Sequence, residues 1–231
     1  MRSPDNDTAG WDGSAAGARA LQAVLASEVR LRDGFPKPLS TIAGFAVALE
    51  GDDPQAVVVL LDANLATLES HVASVPAPTP LNPDVRSFRE LPPLLAALRM
   101  LSVTPDLALI AGDGTAHPQR FGLASHFGLA TGISSIGVAR QPLVGTASPL
   151  HQVRGAYTPL RDQGRQIGWL LRTQVHGEPL VVSPGHNLAM ASAADLVMRF
   201  VTRHRLPEPL RLAEQLLSCP GGIDSLGGES E

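Results

Sequence analysis

The sequence predicts an α/β fold, a mixed sheet with helices on both faces. Three short β-branched runs come first, and strands and helices alternate after them. The chain has 231 residues, 44% hydrophobic and 17% charged, enough to bury one sizeable core. From Ser14 to Arg32, Leu21, Val24, Leu25 and Val29 recur at helical spacing, and Gly34 and Pro36 end the run. Residues 42–49 (IAGFAVAL) and 56–62 (AVVVLLD) read as strands joined by a turn over 50–54, hence an antiparallel hairpin, with a third strand over 66–75. Pro76, Pro78, Pro80 and Pro83 then break regular structure. Residues 92–100 are helical in pattern, and 106–111 (DLALIA) form a buried strand opening into Gly112-Asp113-Gly114, a site edge. A helix over 118–129, a strand over 135–139, a strand pair over 166–173 and 179–182, and a last helix over 188–204 complete the plan. No internal repeat of 20–50 residues occurs.

Three segments follow from this. Residues 1–13 read as a disordered polar tail, 14–215 as one domain, and 216–231 as a flexible, acidic, Gly-rich tail. No 20-residue window is uniformly apolar, so no membrane span is expected. Met1 to Trp11 lacks the pattern of a secretory signal, and the single cysteine, Cys219, allows no internal disulfide. A cytoplasmic protein is the expectation, and the oligomeric state is left open.

The formal charge of −4 conceals unlike segments. Residues 1–85 carry 5 Lys/Arg against 11 Asp/Glu, residues 86–211 carry 13 against 7, and residues 212–231 carry 0 against 4. Of the 18 cations 17 are Arg, whose planar fork suits phosphate, although composition bias alone also yields such a count.

Six stretches, in one order, resemble the endonuclease V family from about Leu21 to Ala213. They are Ile42-Ala43-Gly44, Ser87-Phe88-Arg89-Glu90-Leu91-Pro92, Gly114 to Gly122 (GTAHPQRFG), Ile136 to Arg140 (IGVAR), Ser183-Pro184-Gly185-His186, and Leu206 to Arg211 (LPEPLR). The resemblance implies a ribonuclease H-like fold, Mg²⁺ held by carboxylates, recognition of inosine in DNA or RNA, and cleavage at the second phosphodiester 3′ to it. The chemistry fits those ligands. Mg²⁺ takes oxygen donors, offsets charge on the phosphate and lowers the pKa of the attacking water.

Against the family pattern, two of three metal carboxylates are missing. Where the first-strand and fourth-strand Asp residues belong, this chain has Ala46 and Ala111. The resemblance leaves Glu90 as catalytic residue and ligand, and His186 as the assisting histidine. Asp113, two residues past Ala111, could reach the same face and act as replacement ligand and catalytic group, or simply begin a Gly-rich turn. The implied substrate contacts are Leu81, Gly112, Gly114, His117, Arg120 and Arg140. Leu81 stands in the family's wedge loop, where an aromatic residue is usual, beside Asp84 in place of Gly. Plainer roles remain open. Glu90 could be an ordinary residue of a first helical turn, His186 a loop residue and His117 a cap, and Gly112, Gly114, Gly122 and Gly185 serve backbone needs. Three functions follow: a nucleic-acid-binding relative with cleavage lost or weakened, an active divergent nuclease using Glu90, Asp113 and His186, or an interaction or small-ligand module on an inherited fold.

Overall fold

In a computed structural model, residues 14–49, 53–76 and 86–218 are described. Among them run α1 (Ala15–Ala26), β1 (Thr41–Ala48), β2 (Gln55–Asp62), β3 (Thr67–Ser74), α2 (Arg86–Met100), β4 (Leu107–Ala111), α3 (Leu123–Thr131) and β5 (Ser135–Ala139). There follow β6 (Thr146–Ala147), β7 (Tyr157–Asp162), β8 (Arg165–Leu171), β9 (Leu180–Pro184), α4 (Met190–Arg199) and α5 (Glu208–Ser218). One sheet holds all nine of these strands in the order β3-β2-β1-β4-β5-β9-β8-β7-β6. Strands β1, β4 and β5 are mutually parallel and the other pairings antiparallel. This is the expected mixed sheet with helices on both faces, in a ribonuclease H-like arrangement. Among the described residues no helix is long and apolar enough to cross a membrane.

The period-2 alternation of the central strands divides the core. Ala43, Phe45, Ala108 and Ile110 point toward α2 and α3, meeting Leu91, Leu94 and Phe127. Ile42, Leu107 and Leu109 face the other side and pack with Leu196, Val197 and Leu210 of α4 and α5. A Cβ on Gly44 would lie 2.1 Å from the Pro209 carbonyl oxygen, so α5 can rest on β1 only because that residue is glycine. The Asp106 carboxylate, just before β4, accepts from the Ser40 and Thr41 amides at 2.7 and 3.1 Å, locking the start of β1 to that of β4.

Several boundaries differ from expectation. Helix α2 begins at Arg86 and runs through Pro92 and Pro93, because Phe88, Leu91, Leu94 and Ala97 form one continuous buried stripe whose packing outweighs the two missing amide donors. The helix expected from residue 118 begins at Leu123, since Arg120 has φ of 58° and Gly122 is the cap. The helix expected over 188–204 stops at Arg199, and α5 is a separate helix. It includes residues 216–218, where the sequence suggested a tail. Strands β6 and β7 were not expected. The wedge loop with Leu81 and Asp84 lies outside the described residues, as do both termini and the 50–52 turn.

Candidate active site

The parallel strand β4 ends at Ala111, and the chain beyond it folds back across the sheet edge. Gly112 has φ of 155°, and its amide still donates to the Val138 carbonyl at 3.1 Å. At Gly114 an added Cβ would meet the Pro184 carbonyl oxygen at 2.2 Å, so the loop lies on β9 with no room for a side chain. These two glycines therefore shape the loop. The reversal creates a cleft of about 260 Å³. Its walls are Arg86, Ser87 and Glu90 from α2, then Ala111, Gly112, Asp113, His117, Gly122 and Leu123 from the β4–α3 segment, and Leu143 from beyond β5.

Glu90 and Asp113 thus share one cleft. Glu90 is 8% exposed, and Arg86 Nη2 donates to its Oε1 at 2.8 Å. Burial raises the Glu90 pKa, with the Arg86 charge and hydrogen bond opposing. Burial, then repulsion from Glu90, pushes the Asp113 carboxyl up to about 6, against a smaller opposing pull from Arg86. Asp113 Oδ1 is buried without a hydrogen-bond partner among the described residues. A buried carboxylate oxygen without a donor is costly, which fits a proton held there or a cation supplied from outside.

The remaining expected residues are placed as follows. Ala46 is 2% exposed and packs with Val57, Val59, Ala213 and Leu216, and Ala111 lies against the same cluster. Ala46 is therefore part of the apolar packing beneath α5, while Ala111 stands between that packing and the cleft. His117 lines the cleft, and burial, aided by the Arg120 charge, lowers its pKa to about 4. Arg120 Nη2 is bound to Asp162 Oδ2 at 2.5 Å and its Nη1 to the His117 carbonyl at 2.8 Å, so it braces the loop against β7. Arg140 pairs with Glu214 on α5, away from the cleft walls. His186 is not brought together with Glu90 and Asp113. It lines a separate cavity of about 640 Å³ beside Glu28, Arg30 and the end of α3, where its Nδ1 accepts from the Arg30 amide at 3.3 Å. Burial and the Arg30 charge lower its pKa.

The basic middle segment is also less available than its charge count implied. Arg154 donates to the Thr173 and Val201 carbonyls at 3.1 and 2.9 Å, Arg172 to the His151 carbonyl at 2.8 Å, and Arg205 to the Glu178 and Pro179 carbonyls at 2.8 and 3.0 Å. These arginines hold irregular segments in place. Sequence reasoning missed Arg86, Ser87 and Leu143. The first two adjoin the Phe-Arg-Glu stretch one helical turn before Glu90, a spacing that could have signalled them.

Among the described residues no group of three or more His, Cys, Asp or Glu side chains could hold a metal ion. Two carboxylates, one already engaged by an arginine, do not make the three-carboxylate site that the family pattern implies.

A sequence profile of endonuclease V matches residues 23–215. The endonuclease V of Xanthomonas campestris pv. campestris (strain B100) is 51% identical over 219 residues, covering 94% of this chain and 93% of that one. The crystal structure of Streptomyces avermitilis endonuclease V superposes with a TM-score of 0.85 at 36% identity, covering 91% and 94% of the two chains. Ciona intestinalis endonuclease V (D234N), solved with a 23mer DNA containing an inosine followed by a ribo-adenosine, shares the fold at a TM-score of 0.75 and 21% identity, over 88% and 95% of the chains. A profile match over most of the sequence, joined to half-identical relatives of equal length, settles the ancestry: this chain belongs to the endonuclease V family.

Proposed function

We propose that this protein binds deaminated, inosine-containing DNA or RNA through the cleft between α2 and the β4–α3 loop, and that its phosphodiesterase activity is lost or weak. One observation carries the second half. Among the described residues the cleft is lined by two carboxylates, Glu90 and Asp113, while Ala111 in its wall and Ala46 beneath α5 carry methyl groups where the family pattern has Asp. Each missing carboxylate removes both a bond to Mg²⁺ and a share of its charge neutralisation. Family membership supports nucleic acid as the partner, and the inosine-containing DNA held by the Ciona protein supplies the probe.

In the test, purified protein is incubated with inosine-containing DNA and RNA in Mg²⁺ or Mn²⁺. Expected are salt-dependent binding and no nicking above that of a Glu90→Ala, His186→Ala control. Ala46→Asp combined with Ala111→Asp should then switch metal-dependent cleavage on. Binding that ignores salt contradicts the nucleic-acid reading, because phosphate contacts release counterions. The unpartnered Asp113 Oδ1 beside Glu90 favours a second reading, a divergent Mg²⁺-dependent nuclease with Glu90 and Asp113 as ligands. Nicking by the natural chain that Asp113→Asn abolishes would establish it.

A further inference from the structure

Behind the cleft wall lies a buried polar cluster that the family motifs do not explain. Ser87, 5% exposed, lines the cleft from the first turn of α2. Two side chains meet its hydroxyl oxygen from behind: Gln22 Nε2 of α1 donates at 3.5 Å, and His126 Nδ1 of α3 lies at 3.3 Å. His126 is fully buried, its ring against Phe88 and Phe121 with centroids 4.9 and 5.1 Å away. Burial lowers its pKa to about 3, so the imidazole is neutral and carries one proton.

Where that proton sits decides what Ser87 can do. His126 Nε2 is buried without a hydrogen-bond partner among the described residues. A proton there would leave a buried N–H donor without an acceptor among the described residues. A proton on Nδ1 instead donates to Ser87 Oγ and leaves only a bare lone pair at Nε2. Orphaned buried donors are rarer in folded proteins than under-used acceptors, so the Nδ1–H tautomer is favoured. With the Gln22 amide turned Nε2 toward it, the Ser87 oxygen then accepts from both His126 and Gln22 and gives its proton to neither, while Gln22 Oε1 is left buried without a partner among the described residues. The hydroxyl proton is then free to turn toward the cleft that Ser87 lines. The acceptor expected there is anionic, because Ser87 lies at the positive end of the 15-residue helix α2, next to the guanidinium of Arg86.

We propose that Ser87 donates a hydrogen bond to a phosphate oxygen of the strand seated in the Glu90–Asp113 cleft, and that His126 and Gln22 orient its hydroxyl for that contact. This rests on the reading that the cleft binds nucleic acid, so the test has one arm that needs no ligand. In ¹⁵N NMR of the full chain alone, His126 should show the Nδ1–H tautomer, and its signals should move in Ser87→Ala. An Nε2–H tautomer overturns the proposal, because Ser87 must then donate to His126. In the second arm, Ser87→Ala should bind an inosine-containing oligonucleotide about tenfold more weakly while staying folded by circular dichroism. A neutral methylphosphonate at one linkage should weaken the natural protein and not the variant. If Ser87→Ala does not fold, Ser87→Cys keeps the volume and removes most of the donor strength. Equal affinities overturn the Ser87 contact and leave nucleic-acid binding standing. A loss indifferent to every methylphosphonate overturns the phosphate assignment. No binding by the natural chain overturns the functional reading and the contact with it.

Discussion

Restoring acid at positions 46 and 111 should make folding stability depend on metal. Ala46 is 2% exposed and lies under α5 against Ala213 and Leu216, with Ala111 on the same cluster. In metal-free buffer two added carboxyls there meet low dielectric together with Glu90 and Asp113, whose pKa values burial already raises. Holding each such carboxyl about two pKa units above its ordinary value costs roughly 3 kcal/mol at neutral pH, so the two together cost about 5–6 kcal/mol. In a fold of this size each kcal/mol lowers Tm by about 2–4 °C, so the Ala46→Asp, Ala111→Asp protein should melt about 11–22 °C below the natural one. Mg²⁺ at a hundred times its Kd should return about 2.7 kcal/mol, about half of the loss. The natural chain should be insensitive to Mg²⁺, and Glu90→Gln in the double variant should remove the rescue. The assay is thermal unfolding with Mg²⁺ or EDTA. A double variant indifferent to Mg²⁺, or a natural chain stabilised as much as the variant, would refute the reasoning.

Other expectations are open to simple measurement. Asp113 has its folded-state pKa raised to about 6 from 3.8, so its contribution to stability is fully present below pH 3.8 and is lost as pH rises through 6. Asp113→Asn should therefore be the more stable protein at pH 7.5, by on the order of 2 kcal/mol, with the gap closing toward pH 4 in urea titrations. His117 is shifted the other way, to about 4, so its contribution is present above pH 6.5 and lost as pH falls through 4; His117→Gln should flatten that acid limb. Gly44→Ala should cost at least about 2–3 kcal/mol in unfolding experiments, because the Pro209 backbone occupies the place of the new methyl group. Arg140→Ala should change stability by less than about 1 kcal/mol and leave the salt dependence of oligonucleotide binding unchanged; a slope reduced by about one would show that Arg140 leaves Glu214 for a phosphate.

Much of the fold was legible in the sequence because hydrophobic period and local chemistry agreed. The alternation through Ile42 to Ala48 fixes which residues meet each helical layer, and β1 and β2 pair antiparallel as the sequence predicts. Legibility failed where long-range packing overrode local preference. Pro92 and Pro93 argue against a helix, yet the buried stripe from Phe88 to Ala97 keeps one. Strand β7 carries Pro159 and exposed Tyr157 and Arg161, so its pattern is faint, and pairing with β8 creates it.

The site divides along the same line. The sequence grouped Glu90 and Asp113 with His186; the fold instead gathers Glu90 of α2 with Asp113 and His117 of the segment after β4 in one cleft. His186 comes from beyond β9, which runs antiparallel to β5, so Pro184 pairs with Ile136 and the chain leaves toward the start of β5. It reaches a different cavity from the one entered at the end of β4. The arginine count overstates the free positive surface for another reason. A formal charge cannot show whether a guanidinium faces solvent or, like those of Arg154, Arg172 and Arg205, is spent on backbone carbonyls. Ser87 looked like an ordinary residue in a motif, and only the fold places Gln22 and His126 behind it.

Direct titration of Mn²⁺ into the natural chain, followed by electron paramagnetic resonance of the free ion, tests the central claim that two carboxylates are too few. The expected result is a free-ion signal that grows as in buffer alone and is unaffected by Glu90→Gln or Asp113→Asn. Stoichiometric loss of that signal in the natural chain, reversed by either substitution, would contradict it.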